Sequence, residues 1–155
     1  KEKGLRIVIS RSFNQTGPGQ PSAFVCSDFA RQVAEAEKGS RAEIVVGNLE
    51  IRRDFTDVRD AVAAYLLALQ KGKPGEIYNI CSGKSYSIKS ILGTLLSFST
   101  AKSVKIVKAA AKKRRHDIPE LSGDNSKFRQ ATGWQPQVPI EKTLKEILDY
   151  WRKNA

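Results

Sequence analysis

The residues best equipped for chemistry are an amide, a serine and three arginines. Asn14 sits in Phe13-Asn14-Gln15-Thr16-Gly17-Pro18-Gly19, a turn-rich stretch that follows an apolar segment. Its amide can donate to a phosphate or sugar oxygen while accepting from backbone. Stabilising a turn is an equally good use for an asparagine there. Arg52 and Arg53 precede Asp54. A guanidinium grips a phosphate through two parallel hydrogen bonds, and an adjacent carboxylate can fix its orientation. A surface Arg–Asp pair contributing little is the plainer reading. Arg114 lies in Arg114-Arg115-His116-Asp117, at the end of a basic run most of whose charges read as solvated. Ser27 falls early in a predicted helix, where anionic ligands are favoured. These residue types suit the holding of an anion more than the breaking of a bond.

Other chemistries are short of parts. With one histidine, a multi-His metal site is impossible and little is left for a Ser-His-Asp triad. His116 itself reads as an exposed loop residue rather than a base. Cys26 and Cys81 are isolated and lack metal-type spacing, which makes two reduced thiols in a cytoplasmic protein the expectation.

The elements that must position these residues follow from the apolar spacing. Leu5 to Ser10 reads as a buried-type strand, and Phe13 to Pro21 as a loop. A helix is predicted over 22–38, with Val25, Phe29 and Val33 on one face and Gly39 ending it. Ala42 to Gly47 reads as a short strand and Ile51 to Phe55 as an extended connection. Asp57 caps a helix whose Val58, Ala61, Val62, Tyr65, Leu66 and Leu69 form a stripe expected to face the core. Glu76 to Ile80 is a strand. Ser87 caps a helix carrying Ile88, Ile91, Leu92, Leu95 and Leu96. Val104 to Val107 is a weaker strand. A short helix begins at Asp124-Asn125-Ser126 and ends at Gly133, and a last amphipathic helix carries Ile140, Leu144, Ile147, Leu148 and Trp151. Trp134 and Trp151 read as packing anchors. Alternating strands and helices argue an α/β fold with parallel pairing.

The 155 residues are 40% hydrophobic and 28% charged, a globular balance. No apolar run approaches the roughly 20 residues of a membrane span. The net charge of +11 admits nucleic acid, a membrane surface or a phosphorylated small molecule. Seven basic residues fall between Lys102 and Arg115 without an aromatic among them, which argues against a nucleic-acid-binding module, where interleaved aromatics are expected. The two most apolar strands carry too little sheet for an independent doubly wound domain, since a parallel pair buried on both faces needs neighbours. Lys1-Glu2-Lys3-Gly4 reads as the tail of a preceding helix. A fragment of a longer chain is the expectation.

Five ordered blocks carry a family resemblance. They are Arg11-Ser12-Phe13-Asn14-Gln15-Thr16-Gly17-Pro18 continuing into Phe24-Val25 and Asp28 to Gln32; Val46-Gly47-Asn48 through Arg53-Asp54-Phe55 to Asp60; Tyr78-Asn79-Ile80-Cys81-Ser82-Gly83 with Tyr86-Ser87-Ile88; Gly123-Asp124-Asn125-Ser126-Lys127; and Thr132-Gly133-Trp134-Gln135-Pro136. In these the chain resembles the extended short-chain dehydrogenase/reductase family acting on nucleotide sugars, in its branch for GDP-linked mannose derivatives. Gly19-Gln20 stands where dehydratases of that branch carry two arginines, and Phe55-Thr56 where they carry Trp and Gly.

The resemblance implies the C-terminal part of a Rossmann-type enzyme: the last parallel strands plus a small α/β substrate-binding domain over residues 1–155. The Gly-rich dinucleotide loop, the Ser/Thr and the Tyr-x-x-x-Lys pair of the family lie in the other half. The chain contains no Gly-x-Gly-x-x-Gly and no Tyr-x-x-x-Lys, so by itself it is expected to be inactive. The implied reaction is reduction of a GDP-linked 4-keto-6-deoxyhexose by NADP or NAD, with 4,6-dehydration or another nucleotide-sugar epimerase/dehydratase activity as the alternative. A GDP-sugar substrate, a cytoplasmic homodimer, and no nucleic acid or membrane partner belong to the same expectation. By position, Asn14, Arg53 and Arg114 match residues that contact the substrate and its diphosphate, and Ser27 is added as a weaker candidate. Phe13 and Gln15 match positions near the nicotinamide, although Gln15 stands where histidine is usual.

Overall fold

The computed structural model describes residues 4–101, 103–109 and 118–155. Its elements are β1 (Ile9–Ser12), β2 (Asn14–Thr16), α1 (Val25–Glu37), β3 (Glu43–Val46), β4 (Arg52–Asp57), α2 (Val58–Lys71), β5 (Ile77–Ile80), β6 (Ser85–Ser87), α3 (Ile88–Ser97), β7 (Lys105–Lys108), β8 (Glu120–Leu121), α4 (Ser126–Thr132) and α5 (Ile140–Asn154). The caps expected at Asp57 and Ser87 are in place. The Asp57 carboxylate accepts from the backbone N–H of Arg59 at 2.8 Å, and the Ser87 hydroxyl accepts from that of Ser90 at 2.9 Å. Gly133 ends α4 at φ 77°, a conformation glycine adopts without steric cost.

Three sheets result. β1 pairs in parallel with β5, and β3 in parallel with β7. β4 is the hub of the third sheet, parallel to β2 and β8 and antiparallel to β6. Among the described residues no strand pairs with its immediate neighbour in sequence. The α/β class and the parallel pairing are as expected, but β2 lies inside the stretch read as a loop. The extended connection is a full strand reaching Asp57, and β6 and β8 are additional. Strands of two or three residues carry no period for a sequence to display.

Two apolar clusters hold the elements. α1, α3 and α5 pack together through Phe29, Val33, Ile91, Leu95, Leu144 and Leu148, all buried, with Ile44 and Val46 of β3 in the same cluster. Tyr78, Ile80, Phe128 and Trp134 form the second, against Ala64 and Ala68 of α2. The rings of Tyr78 and Phe128, and of Phe128 and Trp134, sit tilted at 5.5 and 5.6 Å. Trp134 is thus the packing anchor it was expected to be.

The stripe on α2 corrects the sequence reading. The face against the sheet is the small-residue one, Ala61, Ala64 and Ala68, whereas Val62, Leu66 and Leu69 are exposed. Leu5 and Ile7, with Ile9 of β1, expected in a buried strand, are 69%, 56% and 48% exposed. β1 has β5 along one edge and no strand along the other among the described residues.

Candidate functional site

Three of the sequence-predicted ligand residues, Asn14, Gln15 and Arg53, line one cavity. It has a volume of about 500 Å³ and lies between β2, the first turn of α1, the 47–51 connection and β4. Gln20, Asp28 and Asn48 line it as well, with apolar walls from Val25, Phe29, Ile51, Phe55 and Ile88. It opens beyond the C-terminal end of β1, the end at which α/β sheets bind ligands.

Alternation along β4 decides which side chains reach it. Arg53 and Phe55 face the cavity, and Asp54 faces away. Asp54 therefore does not orient Arg53, contrary to the sequence reading. The guanidinium of Arg53 is held instead by two carbonyls, donating from Nη1 to Arg52 O at 2.7 Å and Ile118 O at 2.8 Å. Its other N–H groups remain for a ligand, in the forked geometry that suits a phosphate. Asp54 is wholly buried and accepts four hydrogen bonds. Its Oδ1 takes Ser82 N at 2.8 Å and Ser82 Oγ at 2.7 Å, and its Oδ2 takes Gly83 N at 2.9 Å and Gly123 N at 3.3 Å. It ties β4 to two loops and so fixes the strand that carries Arg53.

Asn14 is half-buried at the start of β2, and its carboxamide has no hydrogen-bond partner among the described residues. The turn-stabilising reading thus has no bond to support it. Gln15 is held by α2: its Nε2 donates to the Tyr65 hydroxyl, which also shares a 2.8 Å hydrogen bond with Ser12 Oγ. Phe13 is half-buried beside Gly123, where a Cβ on that glycine would lie 2.8 Å from Phe13 Cζ. It does not line the cavity.

Ser27 departs from its expected place. It is fully buried, donating to Gln20 O at 2.5 Å and accepting from Trp151 Nε1 at 2.8 Å. A hydroxyl committed on both sides within the core acts on the site through Gln20. That residue's amide in turn donates to Gln15 O at 2.9 Å and accepts from Thr16 Oγ1 at 2.8 Å. The chain of bonds from α5 to β2 has no sequence signature, because its members are 124 and 7 residues apart. Arg114 and His116 lie outside the described residues.

Burial sets the thiol chemistry. Cys26 is pushed up to about 12 by burial, against a smaller lowering from Thr16. Cys81 is pushed up to about 12 by burial and by the nearby Asp54 charge. Neither is a nucleophile near neutral pH. Among the described residues no cluster of three or more His, Cys, Asp or Glu could hold a metal ion, and no helix is long and apolar enough to cross a membrane.

The fold is that of the C-terminal half of an extended short-chain dehydrogenase/reductase, and the chain belongs to the GDP-mannose 4,6 dehydratase family, whose profile matches residues 1–147. It is 35% identical over 154 residues to GDP-6-deoxy-D-mannose reductase of Pseudomonas aeruginosa, covering 99% of this chain and 50% of that protein. It is 29% identical to GDP-mannose 4,6 dehydratase 1 of Arabidopsis thaliana, covering 94% of this chain and 40% of the relative. The structure of RMD from Pseudomonas aeruginosa complexed with NADPH superposes with a TM-score of 0.92 at 34% identity, over 99% of this chain and 50% of that one. UDP-glucose 4-epimerase of Thermotoga maritima with UDP-glucose gives a TM-score of 0.82 at 28% identity, over 99% and 48%. The chain spans about half the length of the curated relatives it matches. The resemblance to extended short-chain dehydrogenases is borne out in family and in fold.

Proposed function

We propose that this chain is the nucleotide-sugar-binding portion of an NAD(P)-dependent reductase acting on a GDP-linked 4-keto-6-deoxy-mannose. The carrying observation is the single cavity that joins an unengaged carboxamide, Asn14, to a carbonyl-braced guanidinium, Arg53. The likeness to GDP-6-deoxy-D-mannose reductase supports the choice of substrate and reaction. Gln20 favours reductase over dehydratase: it braces β2 through its amide, where dehydratases of this branch carry an arginine.

In this reading Arg53 neutralises the diphosphate, with Arg114 as a second cation, and Asn14 donates to an oxygen on the sugar side. Immobilising the nucleotide places the ketone for reaction, and misplacement by an ångström costs rate steeply. The nicotinamide cofactor, when bound, supplies the hydride. This chain's residues fit only its nicotinamide end. Gln15 has its Nε2 engaged by Tyr65, which leaves Oε1 as an acceptor, and Phe13 offers a ring, while no Gly-rich loop for the pyrophosphate occurs in the sequence. The proton donor and the dinucleotide loop are assigned to polypeptide outside these 155 residues, docked on the open edge of β1 and the exposed Val62, Leu66 and Leu69 of α2. A cytoplasmic homodimer without nucleic-acid or membrane partners completes the reading.

Calorimetric titration with GDP tests it. The chain is expected to bind GDP, and Arg53→Ala to weaken binding by about 10-fold to 100-fold, the worth of charge-assisted bonds to phosphate. Unchanged affinity would remove Arg53 from the site. In the longer protein, turnover of the 4-keto sugar but not of GDP-mannose separates reductase from dehydratase.

A further inference from the structure

We infer that Trp151, near the end of the last helix, is a positioning residue for the sugar side of the cavity: it sets the place of Asn14 through Ser27 and Gln20. This rests on the reading of Asn14 as the grip on the sugar side. Asn14 stands on β2, a strand of three residues that ends its sheet, with β4 along one side and no strand along the other among the described residues. Gln20 supplies the hold that a second neighbouring strand would give. Its Nε2 donates to Gln15 O at 2.9 Å and its Oε1 accepts from Thr16 Oγ1 at 2.8 Å, so both residues that follow Asn14 are tied to it. Gln20 is fixed in turn through its own carbonyl, which accepts from Ser27 Oγ at 2.5 Å, and Ser27 Oγ accepts from Trp151 Nε1 at 2.8 Å. The donors allow one polarity. An indole N–H donates and cannot accept, so the single hydroxyl proton of Ser27 goes to Gln20 O. Ser27 and Thr16 are buried, and a link that is lost leaves a polar group unpaired in the interior.

The strand that carries Arg53 is anchored independently. Asp54 ties β4 to two loops, and Asp57 Oδ2 accepts from Thr143 Oγ1 of α5 at 2.7 Å. Thr16 and Asp57 are partners in the β2–β4 register. Helix α5 therefore reaches both strands at one register pair, directly at β4 through Thr143 and by relay at β2 through Trp151. Losing the Trp151 bond frees β2 against a β4 that stays in place, and so changes where Asn14 stands relative to Arg53. Neither Trp151 nor Ser27 lines the cavity. An effect of either on binding arrives through the residues they hold, and displacement of a grip by an ångström is costly.

Calorimetric titrations with GDP and with GDP-mannose, a stable stand-in for the 4-keto sugar, read the two grips separately. GDP alone reports Arg53, and the ratio of the two affinities reports the sugar side. The wild-type chain is expected to bind GDP-mannose about 3-fold to 10-fold more tightly than GDP, the worth of one neutral hydrogen bond, and Asn14→Ala to lose that excess. Trp151→Phe keeps an aromatic ring in the α5 packing and removes the N–H donor; it should abolish most of the excess while GDP alone binds as before. Ser27→Ala breaks the relay at its middle and should do the same, which gives a second reading if the ring replacement fails to fold. In Asn14→Ala/Trp151→Phe the ratio should match that of Asn14→Ala, because both changes act on one contact. A purely structural role for Trp151 would lower both affinities together and keep their ratio. The inference is overturned by an unchanged ratio in a folded Trp151→Phe or Ser27→Ala, or by losses that add in the double variant. A wild-type chain that binds GDP and GDP-mannose equally would overturn the reading of Asn14 itself, and the inference with it.

Discussion

Asp54 ties β4, the strand that carries Arg53, to two loops, and Asp54→Asn isolates its charge at nearly constant shape. The native carboxylate accepts from Ser82 N and Oγ on one oxygen and from Gly83 N and Gly123 N on the other, at 2.7–3.3 Å. An asparagine can present its oxygen to only one of these pairs and turns an NH₂ toward two N–H donors on the other side. Hydrogen bonds to a charged group contribute about 1.5–3 kcal/mol each, and a buried donor left unpaired costs about 1–3 kcal/mol. Loop relaxation and water entry recover part of that, so the expected loss is about 3–5 kcal/mol, the scale of a broken buried network. Urea denaturation followed by far-UV circular dichroism reads it as a fall in midpoint at constant slope. Ser82→Ala, which removes only one of the four donors, should cost about 1 kcal/mol. GDP affinity of any folded Asp54→Asn should fall as well, because β4 carries Arg53. A loss below about 1 kcal/mol for Asp54→Asn would refute the argument that this carboxylate anchors the strand.

Gly123→Ala places a Cβ 2.5 Å from Cys81 Sγ and 2.8 Å from Phe13 Cζ; the overpacking should cost about 1–3 kcal/mol, read as a lowered thermal midpoint. Stability should fall in acid. Hydrogen bonds from Arg152 hold Glu37 below its ordinary range, and at Asp57 burial pushes upward but the bonds from Arg59 and Thr143 outweigh it. Depressed folded values contribute stability that is present above about pH 4 and lost as the pH falls through them. Glu37→Gln should flatten that limb of a pH–stability curve, and an unchanged limb would count against the Arg152 pairing. Both thiols, pushed up to about 12, should resist a disulfide reagent at pH 8 in the folded chain and react promptly in denaturant.

Local signals carried the parts of this protein that are local. Asp57 and Ser87 announce their helices because a cap bonds within three residues. Trp134 announces a packing site by its size, and Asn14 and Arg53 by lying in family blocks. What escaped depends on register between distant segments. Asp54 looked like a partner for Arg53 in sequence, yet adjacent residues of a strand face opposite sides, and its partners are 28 to 69 residues away. Ser27 is tied to Trp151 across 124 residues. The stripe on α2 was legible as apolar, but periodicity does not say which of two apolar faces meets the sheet.

The pairing pattern of the strands also sets a timetable. β1 waits for β5, 68 residues further on by its Ile9–Ile77 register, and β3 waits for β7, 62 residues on. With no hairpin between consecutive strands among the described residues, little but helix can form early. Long-range parallel pairing is intrinsically slow, because loop closure comes before the contacts that reward it. Until β4 and β5 have arrived, β1 and β2 have no partner within these residues. Refolding is therefore expected to be slow and sensitive to protein concentration, with aggregation competing through the same strand edge that the folded chain leaves open.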